Sequence, residues 1–260
     1  LLYVECSKCG QPVIWENGWP QMYNEGVITL KVSTNQLWEK PGQGLILNID
    51  DFNQKKLAME WNFMNNPDKQ RWELNPTNES LVLKGNTNNL DSLGQKALIM
   101  QRQKNYFFEA ETTLDFEPEN ENEEGGLTVF MARNYHYDLF LTKRNGKKVL
   151  VTRRKIDDIN LEEKIVPVNT TGITLKVSGN PWQYTFSYKT DDDYEELVTM
   201  NNWFITIHNV GEYYTGFTGM FLGLFVVGED AQAEFDRFCY REIPTDMKQF
   251  RIAKFWKEIK

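Results

Sequence analysis

Tyr213-Tyr-Thr-Gly-Phe-Thr-Gly-Met-Phe-Leu-Gly-Leu-Phe-Val-Val-Gly228, then Glu229-Asp230, then Ala231-Gln-Ala-Glu-Phe-Asp-Arg-Phe-Cys-Tyr240, is the stretch that decides the fold. Between Phe217 and Val227 almost no residue is polar. A strand alternates its side chains between two faces, so a strand here is apolar on both. Phe217, Phe221, Phe225 and Val227 take one face, and Met220, Leu222, Leu224 and Val226 the other. Gly219 and Gly223 fall among the large residues and leave room for a close neighbour. The run is too short to span a membrane as a helix, and its glycines weigh against any helix. It reads as a central strand between two packed layers. Gly228-Glu229-Asp230 turns the chain, and residues 231–240 return as a second strand. The apolar phase of that strand slips between Phe235 and Phe238, which predicts a bulge.

Working outward, strands recur about every 8–15 residues with no long helix between them. Phe108, Ala110, Thr112, Leu114 and Phe116 alternate with Glu109, Glu111, Thr113 and Asp115, one face for a core and one for water. Residues 127–132 and 137–143 read as strands, and Asn145-Gly146 marks a tight hairpin into residues 149–153. Residues 156–164 read as charged and irregular. Ile173–Val177 alternates, as do Trp182, Tyr184, Phe186 and Tyr188. Asn65-Asn-Pro-Asp68 turns the chain between two Trp-bearing strands, with Trp61 and Trp72 assigned to the core. This is the pattern of an all-β protein, a large sandwich or jelly roll. The expected organisation is a lead-in over 1–26, a sandwich over 27–243, and a tail over 244–260 that reads as a short helix.

Composition narrows the function. The chain has 260 residues, 40% hydrophobic and 25% charged, which fits a globular protein. Aromatics reach 13%, a content that suits strands and, where rings are exposed, sugar-binding faces. The net charge of −8 offers no basic excess for nucleic acid. The first residue is Leu1, so the chain reads as a processed form or a piece of something longer. Sequons at Asn78 and Asn169 favour secretion over a cytoplasmic location only slightly. Cys6-x-x-Cys9 is half of a zinc site at best, because no second pair follows. A disulfide from either to Cys239 and three free thiols both remain open. Residues 117–124 carry five Glu. A solvated hairpin loop is the expectation there; a structural calcium is the sharper alternative, without the Asp/Asn spacing of a known calcium loop. No other cofactor is expected.

Four segments in order resemble one family: Trp61-Asn-Phe-Met-Asn-Asn-Pro-Asp68 with Trp72; residues 97–102 ending in Gln101-Arg102; Gly125-Gly-Leu-Thr-Val-Phe130; and Gly216-Phe-Thr-Gly219 through Phe235-Asp-Arg-Phe238. They resemble the C-terminal concanavalin A-like β-sandwich of glycoside hydrolase family 43 β-xylosidases and α-L-arabinofuranosidases. Pro12-Val-Ile-Trp-Glu-Asn-Gly-Trp-Pro20 resembles the segment that joins that family's catalytic propeller to the sandwich. The resemblance covers roughly residues 11–241. The chain departs from it at Phe63 or Met64, where the family more often has His, and in the tail. The resemblance implies that the catalytic carboxylates lie in the propeller, so this chain alone is expected not to be an enzyme. It also implies that an aromatic from the Gly-x-Phe-Thr-Gly region closes the active-site pocket. Phe217 is the matching residue, with Tyr214 and Thr218 beside it.

The residues themselves give no catalytic centre. Glycoside hydrolysis needs two carboxylates across one bond, and most of the 37 Asp and Glu sit in polar runs. Asp236 has apolar neighbours but is expected to face solvent or bond an adjacent strand. His136 and His208 are expected to be surface or satisfied structural groups. Sugar binding needs an aromatic platform with polar groups for the hydroxyls. The candidates are Tyr135, Tyr137, Trp203, Tyr213, Tyr214, Phe217 and Thr218, with Arg102 and Arg133 at strand ends. The expected partners are a xylan- or arabinan-type carbohydrate or a family 43 catalytic domain. Three roles follow: an accessory module that binds polysaccharide or completes an active site, a structural half of a whole glycosidase, or a protein-binding module on the same fold.

Overall fold

In the computed structural model the described residues are 13–22, 47–75, 77–207, 209–210 and 219–244. The chain divides into two compact units, Leu1–Leu45 and Ile46–Lys260. Within the first, β1 (Val13–Glu16) and β2 (Trp19–Met22) form a hairpin. Its turn is Asn17-Gly18, both residues at positive φ, which matches the right-handed twist of the strands. The expected strand at 27–32 and the tail from 245 onward lie outside the described residues, as do Cys6 and Cys9.

The second unit is a sandwich. Its strands are β3 (Leu47–Asp50), β4 (Asn62–Phe63), β5 (Trp72–Asn75), β6 (Ser80–Lys84), β7 (Ala97–Arg102), β8 (Phe108–Asp115), β9 (Glu124–Ala132), β10 (Tyr135–Arg144), β11 (Lys147–Ile156), β12 (Ile159–Pro167), β13 (Gly172–Gly179), β14 (Gln183–Lys189), β15 (Glu195–Asn201), β16 (Phe221–Val227) and β17 (Gln232–Glu242). One sheet runs β12-β11-β10-β9-β16-β7-β4, and the other β15-β14-β13-β8-β17-β6-β5, with β3 pairing the far half of β17. Among the described residues, every strand pairing in this unit is antiparallel.

The opening stretch behaves as its pattern requires. β16 is a central strand between β9 and β7. Leu222, Leu224 and Val226 enter the main core between the sheets, with Leu127, Val129, Leu139 and Leu141. Phe225 and Val227 turn the other way and join Leu90, Leu98, Met100, Phe130, Phe140, Val149 and Val151 in a second apolar cluster. All members of that cluster but Leu90 come from one sheet, so it lies on that sheet's outer face. Gly223 is where large neighbours close in, since a Cβ there would stand 2.9 Å from both Leu98 and Met100. At Gly219 no described residue stands within 4 Å of where a Cβ would be. β17 bulges between Phe235 and Arg237, where the phase slip predicted it. Asn145 and Gly146 both hold positive φ in the β10–β11 turn.

Three readings change. Residues 156–164, expected to be irregular, instead end β11 at Ile156 and supply most of the edge strand β12. An edge strand needs no apolar face, and a register shift opposite Thr152 and Arg153 breaks its alternation further. Trp182 does not share the buried face of Tyr184, Phe186 and Tyr188; it precedes β14 and is 47% exposed. Trp61 is core, its Nε1 donating to Asp50 at 2.7 Å, while Trp72 is half-buried, packed on Phe63.

Candidate functional site: the loop end of the sandwich

The strand registers gather many connections at one end of the sandwich. Phe221, at the start of β16, stands opposite Arg102 at the end of β7 and Phe130 near the end of β9. In the other sheet, Phe108 stands opposite Gly179 and Glu242, Gly179 opposite Tyr184, and Gln183 opposite Asn201. The Tyr137 hydroxyl donates to the Asn201 carbonyl at 2.8 Å and ties the two sheets together there. Residues 211–218 join this end to β16.

The floor of this end is built from neutral phenols. The β7–β8 connection is held by Gln103, whose backbone N–H donates to the Met220 carbonyl and whose side-chain oxygen accepts from the Tyr184 hydroxyl at 2.8 Å. The Tyr240 hydroxyl accepts from the backbone N–H groups of Lys104 and Asn105. Burial holds the phenols protonated: the pKa values of Tyr137 and Tyr240 are pushed up to about 12, and that of Tyr184 is raised too. They serve as fixed hydrogen-bonding posts rather than acids.

On that floor sits an exposed aromatic group. A 3-10 turn over Asn202–Ile205 carries Trp203 (52% exposed) and Phe204 (43%). Asn201 caps it, its side-chain oxygen accepting from the Trp203 N–H at 2.7 Å. The Thr206 hydroxyl and the Asn209 amide both donate to the Trp203 carbonyl. Asn202 donates from its backbone to the Trp182 carbonyl and from its side chain to the Asn180 carbonyl, and Asn180 in turn accepts from the Trp182 and Gln183 N–H groups. The indoles of Trp182 and Trp203 are therefore displayed on a backbone braced by Asn side chains. Neither 180–183 nor 201–207 contains an ionisable residue. A neutral aromatic surface edged with amides suits a polyhydroxylated, uncharged ligand or an apolar partner surface, and it supplies no acid or base.

The candidates fall out as follows. Trp203 is exposed at this end. Arg102 is also exposed there, its guanidinium 4.5 Å from the centre of the Phe221 ring. Tyr137 is fully buried in the main core and Tyr135 nearly so. Neither presents a ring face to a ligand, because the inward phase of β10 places both between the sheets. Tyr213, Tyr214, Phe217 and Thr218 lie outside the described residues, as does His208. Trp182 and Phe204 were not singled out by sequence; the Asn180-Pro181 turn ahead of Trp182 and the Trp-Phe doublet after a capping Asn were the available signals.

A second cluster lies on the outer face of the sheet that holds β9, β10 and β11. Asp138, fully buried, accepts from Thr128 (2.7 Å), Arg153 (2.7 Å) and His136 (2.9 Å). Arg153 also makes a two-pronged pair with Glu124 at 2.8 and 2.9 Å. Burial acts to raise the Asp138 pKa, but His136 and Arg153 reverse it and hold the carboxyl down at about 2. It is no proton donor at neutral pH. His136 is a satisfied structural group, as expected, and Asp236 is exposed. The acidic run is less solvated than expected. Glu123 is buried and accepts from Glu119 and Asn120, and Glu117 pairs with Lys148. Among the described residues no group of three or more acidic, His or Cys side chains is placed to hold a metal, and no helix is long and apolar enough to cross a membrane. Cys239 is a free, buried thiol.

Comparison with known proteins agrees with this architecture. Residues 49–241 match the family model for the beta xylosidase C-terminal concanavalin A-like domain. The non-reducing end alpha-L-arabinofuranosidase BoGH43B of Bacteroides ovatus is 31% identical over 241 residues, which are 88% of this chain and 44% of that protein. A xylan 1,3-beta-xylosidase from a Vibrio species is 27% identical over 246 residues, 89% of this chain and 44% of the relative. Among solved structures, the Bacteroides ovatus xyloglucan-locus GH43B superposes with a TM-score of 0.74 at 30% identity, covering 90% of this chain and 46% of that one. The xylan beta-1,4-xylosidase of Bacillus halodurans gives 0.75 at 24% identity, a likeness of fold, over 89% of this chain and 46% of that one. The chain thus spans less than half the length of these relatives. With the family model matching residues 49–241 and a relative 31% identical over 88% of the chain, the chain belongs to the C-terminal concanavalin A-like accessory domains of family 43 glycoside hydrolases.

Proposed function

We propose that the chain is the non-catalytic part of a glycosidase acting on xylosyl- or arabinofuranosyl-containing polysaccharide, and that its loop end completes the sugar pocket of a catalytic unit. The observation that carries this reading is the character of that end. Exposed indoles and an exposed arginine, free of carboxylates in the segments that display the indoles, gather where residues 211–218 join the fold. Phe217, with Tyr213, Tyr214 and Thr218, is the pocket-closing element in this proposal. Hydrolysis itself is assigned to carboxylates on the catalytic unit.

The test is kinetic. In an enzyme that joins this chain to a family 43 catalytic unit, Phe217→Ala is expected to lower kcat/KM on a nitrophenyl arabinofuranoside or xyloside at least tenfold while leaving the melting temperature unchanged. Unchanged kinetics would remove the pocket-closing role. A second reading, polysaccharide binding by the sandwich itself, draws on the exposure of Trp182 and Trp203. Retardation of the isolated chain in a xylan-containing gel, lost in Trp203→Ala, supports it; equal mobility with and without xylan removes it.

A further inference from the structure

Residues 86–96, between β6 and β7, run across the outer face of the β9–β10–β11 region. Their ends are closed on each other: the Asn86 side chain donates to the Gln95 carbonyl at 3.0 Å, and the Gly228 N–H donates to the Asn86 carbonyl at 2.8 Å. In the middle, Leu90 is buried in the outer apolar cluster. Beside it, Asp91 accepts from Nε2 of His136 at 2.8 Å. The other ring nitrogen, Nδ1, meets the buried Asp138 carboxylate at 2.9 Å. The Phe130 ring stacks on the imidazole, centroids 5.7 Å apart.

Two carboxylates thus face the two nitrogens of one buried imidazole. A neutral imidazole has one N–H and can donate to one of them. Only the imidazolium satisfies both. We propose that residues 86–96 are a strap over the outer apolar cluster, latched by the His136 imidazolium between Asp91 and Asp138 and released when that imidazolium loses its proton.

The charges around His136 support this. Asp138 comes from its own strand; Arg153 and Lys155 come from β11, with Glu124 of β9 paired to Arg153; Asp91 comes from the strap, paired with Lys155 at 3.3 Å. Lys96 and Arg133 stand at the strap's margin, Lys96 feeling both Asp91 and Arg133. With His136 charged, His136, Arg153 and Lys155 balance Asp91, Asp138 and Glu124. Without that proton the group holds one excess negative charge in a largely buried place. Burial works to lower the pKa of His136, yet Asp138 and Asp91 more than reverse it, so the folded protein holds its proton above the ordinary range of histidine. A raised folded-state pKa gives stability that is fully present below about pH 6.5 and is lost as pH rises through the folded value. The Asp138 contact is the buried one and keeps the remaining N–H. The bond to Asp91, on the strap, is the one that breaks.

Hydrogen–deuterium exchange across pH 5.5–9, corrected for intrinsic rates, tests the latch, with imidazole 15N shifts reporting His136 directly. Exchange of residues 86–96 is expected to rise about tenfold for each pH unit by which the His136 pKa with the strap latched exceeds its value with the strap open, while β9 and β10 stay protected. Asp91→Asn removes the exposed half of the latch without emptying the core. It should give the fast-exchanging strap already at pH 6 and flatten the dependence on pH. Strap protection independent of pH, a His136 that titrates at or below 6.5, or an Asp91→Asn strap as protected as the parent's would each overturn the proposal.

Discussion

Phe225→Ala probes the central claim about β16, that a strand apolar on both faces is packed on both. Leu224 faces the main core and Phe225 the outer cluster; both are fully buried. A Phe side chain removes about 150–250 Å2 from water, which at about 25 cal/mol per Å2 is roughly 4–6 kcal/mol. The alanine keeps its own methyl and the cavity collapses in part, so the expected loss is about 3–5 kcal/mol. The site has little room to collapse. Phe225 stands opposite Gly126 across the ladder and 6.2 Å from Phe140, which is itself covered by the Arg153 guanidinium at 4.5 Å. Leu224→Ala, in the main core, serves as the reference at about 2–5 kcal/mol. Urea unfolding followed by tryptophan fluorescence reads both, with the slope against denaturant checking that the unfolded state has not changed. A loss below about 1 kcal/mol for Phe225→Ala, beside the full loss for Leu224→Ala, would refute the reasoning: the outer cluster would be surface rather than a packed layer.

Gly126→Ala should be harsher than a strand glycine usually is, because its Cβ would stand 2.2 Å from the Leu139 carbonyl oxygen; failure to recover soluble protein, or a melting point lowered by well over 5 °C, is the expected result. Asp138 gives an acid-side prediction. Its folded pKa of about 2 lies below the ordinary 3.8, so the stability it contributes is present above about pH 4 and lost as pH falls toward 2. The size is of the order of 2 kcal/mol, and the acid limb of the stability curve should shallow in Asp138→Asn. Trp203→Ala should change the unfolding free energy by less than about 0.5 kcal/mol, since half of the side chain is already in water. The chain alone should give no turnover of nitrophenyl xylosides; activity that survives repeated purification and follows the protein would defeat the non-catalytic assignment.

Much of the fold was legible because sheets write themselves into sequence with period two. The two faces of β16, the alternation of β8 and the Asn145-Gly146 turn each follow from a local rule. The edge strand β12 was not legible, since one neighbour and a broken register leave it no regular apolar face. The site was less legible than the fold. Tyr137 and Trp203 are both aromatics near strand ends, and composition cannot say that one points between the sheets while the other rides a 3-10 turn. The pairing of Asp91 with His136 joins residues 45 positions apart through a connection whose path over the sheet no local pattern encodes.

The ladder of Thr128, Asp138, Arg153 and Glu124 spans three neighbouring strands, and it bears on how the chain avoids assembling wrongly. Sliding β10 by one residue against β9 and β11 would turn every side chain to the opposite face. Asp138 and His136 would then enter the main core without Arg153 or Thr128, and Tyr137 and Leu139 would be thrust onto the outer face. An uncompensated buried charge costs several kcal/mol, enough to reject the slipped pairing before the rest of the sheet closes on it. The ion cluster thereby acts as a proofreading mark for sheets whose strands are long, repetitive in pattern and otherwise easy to misalign.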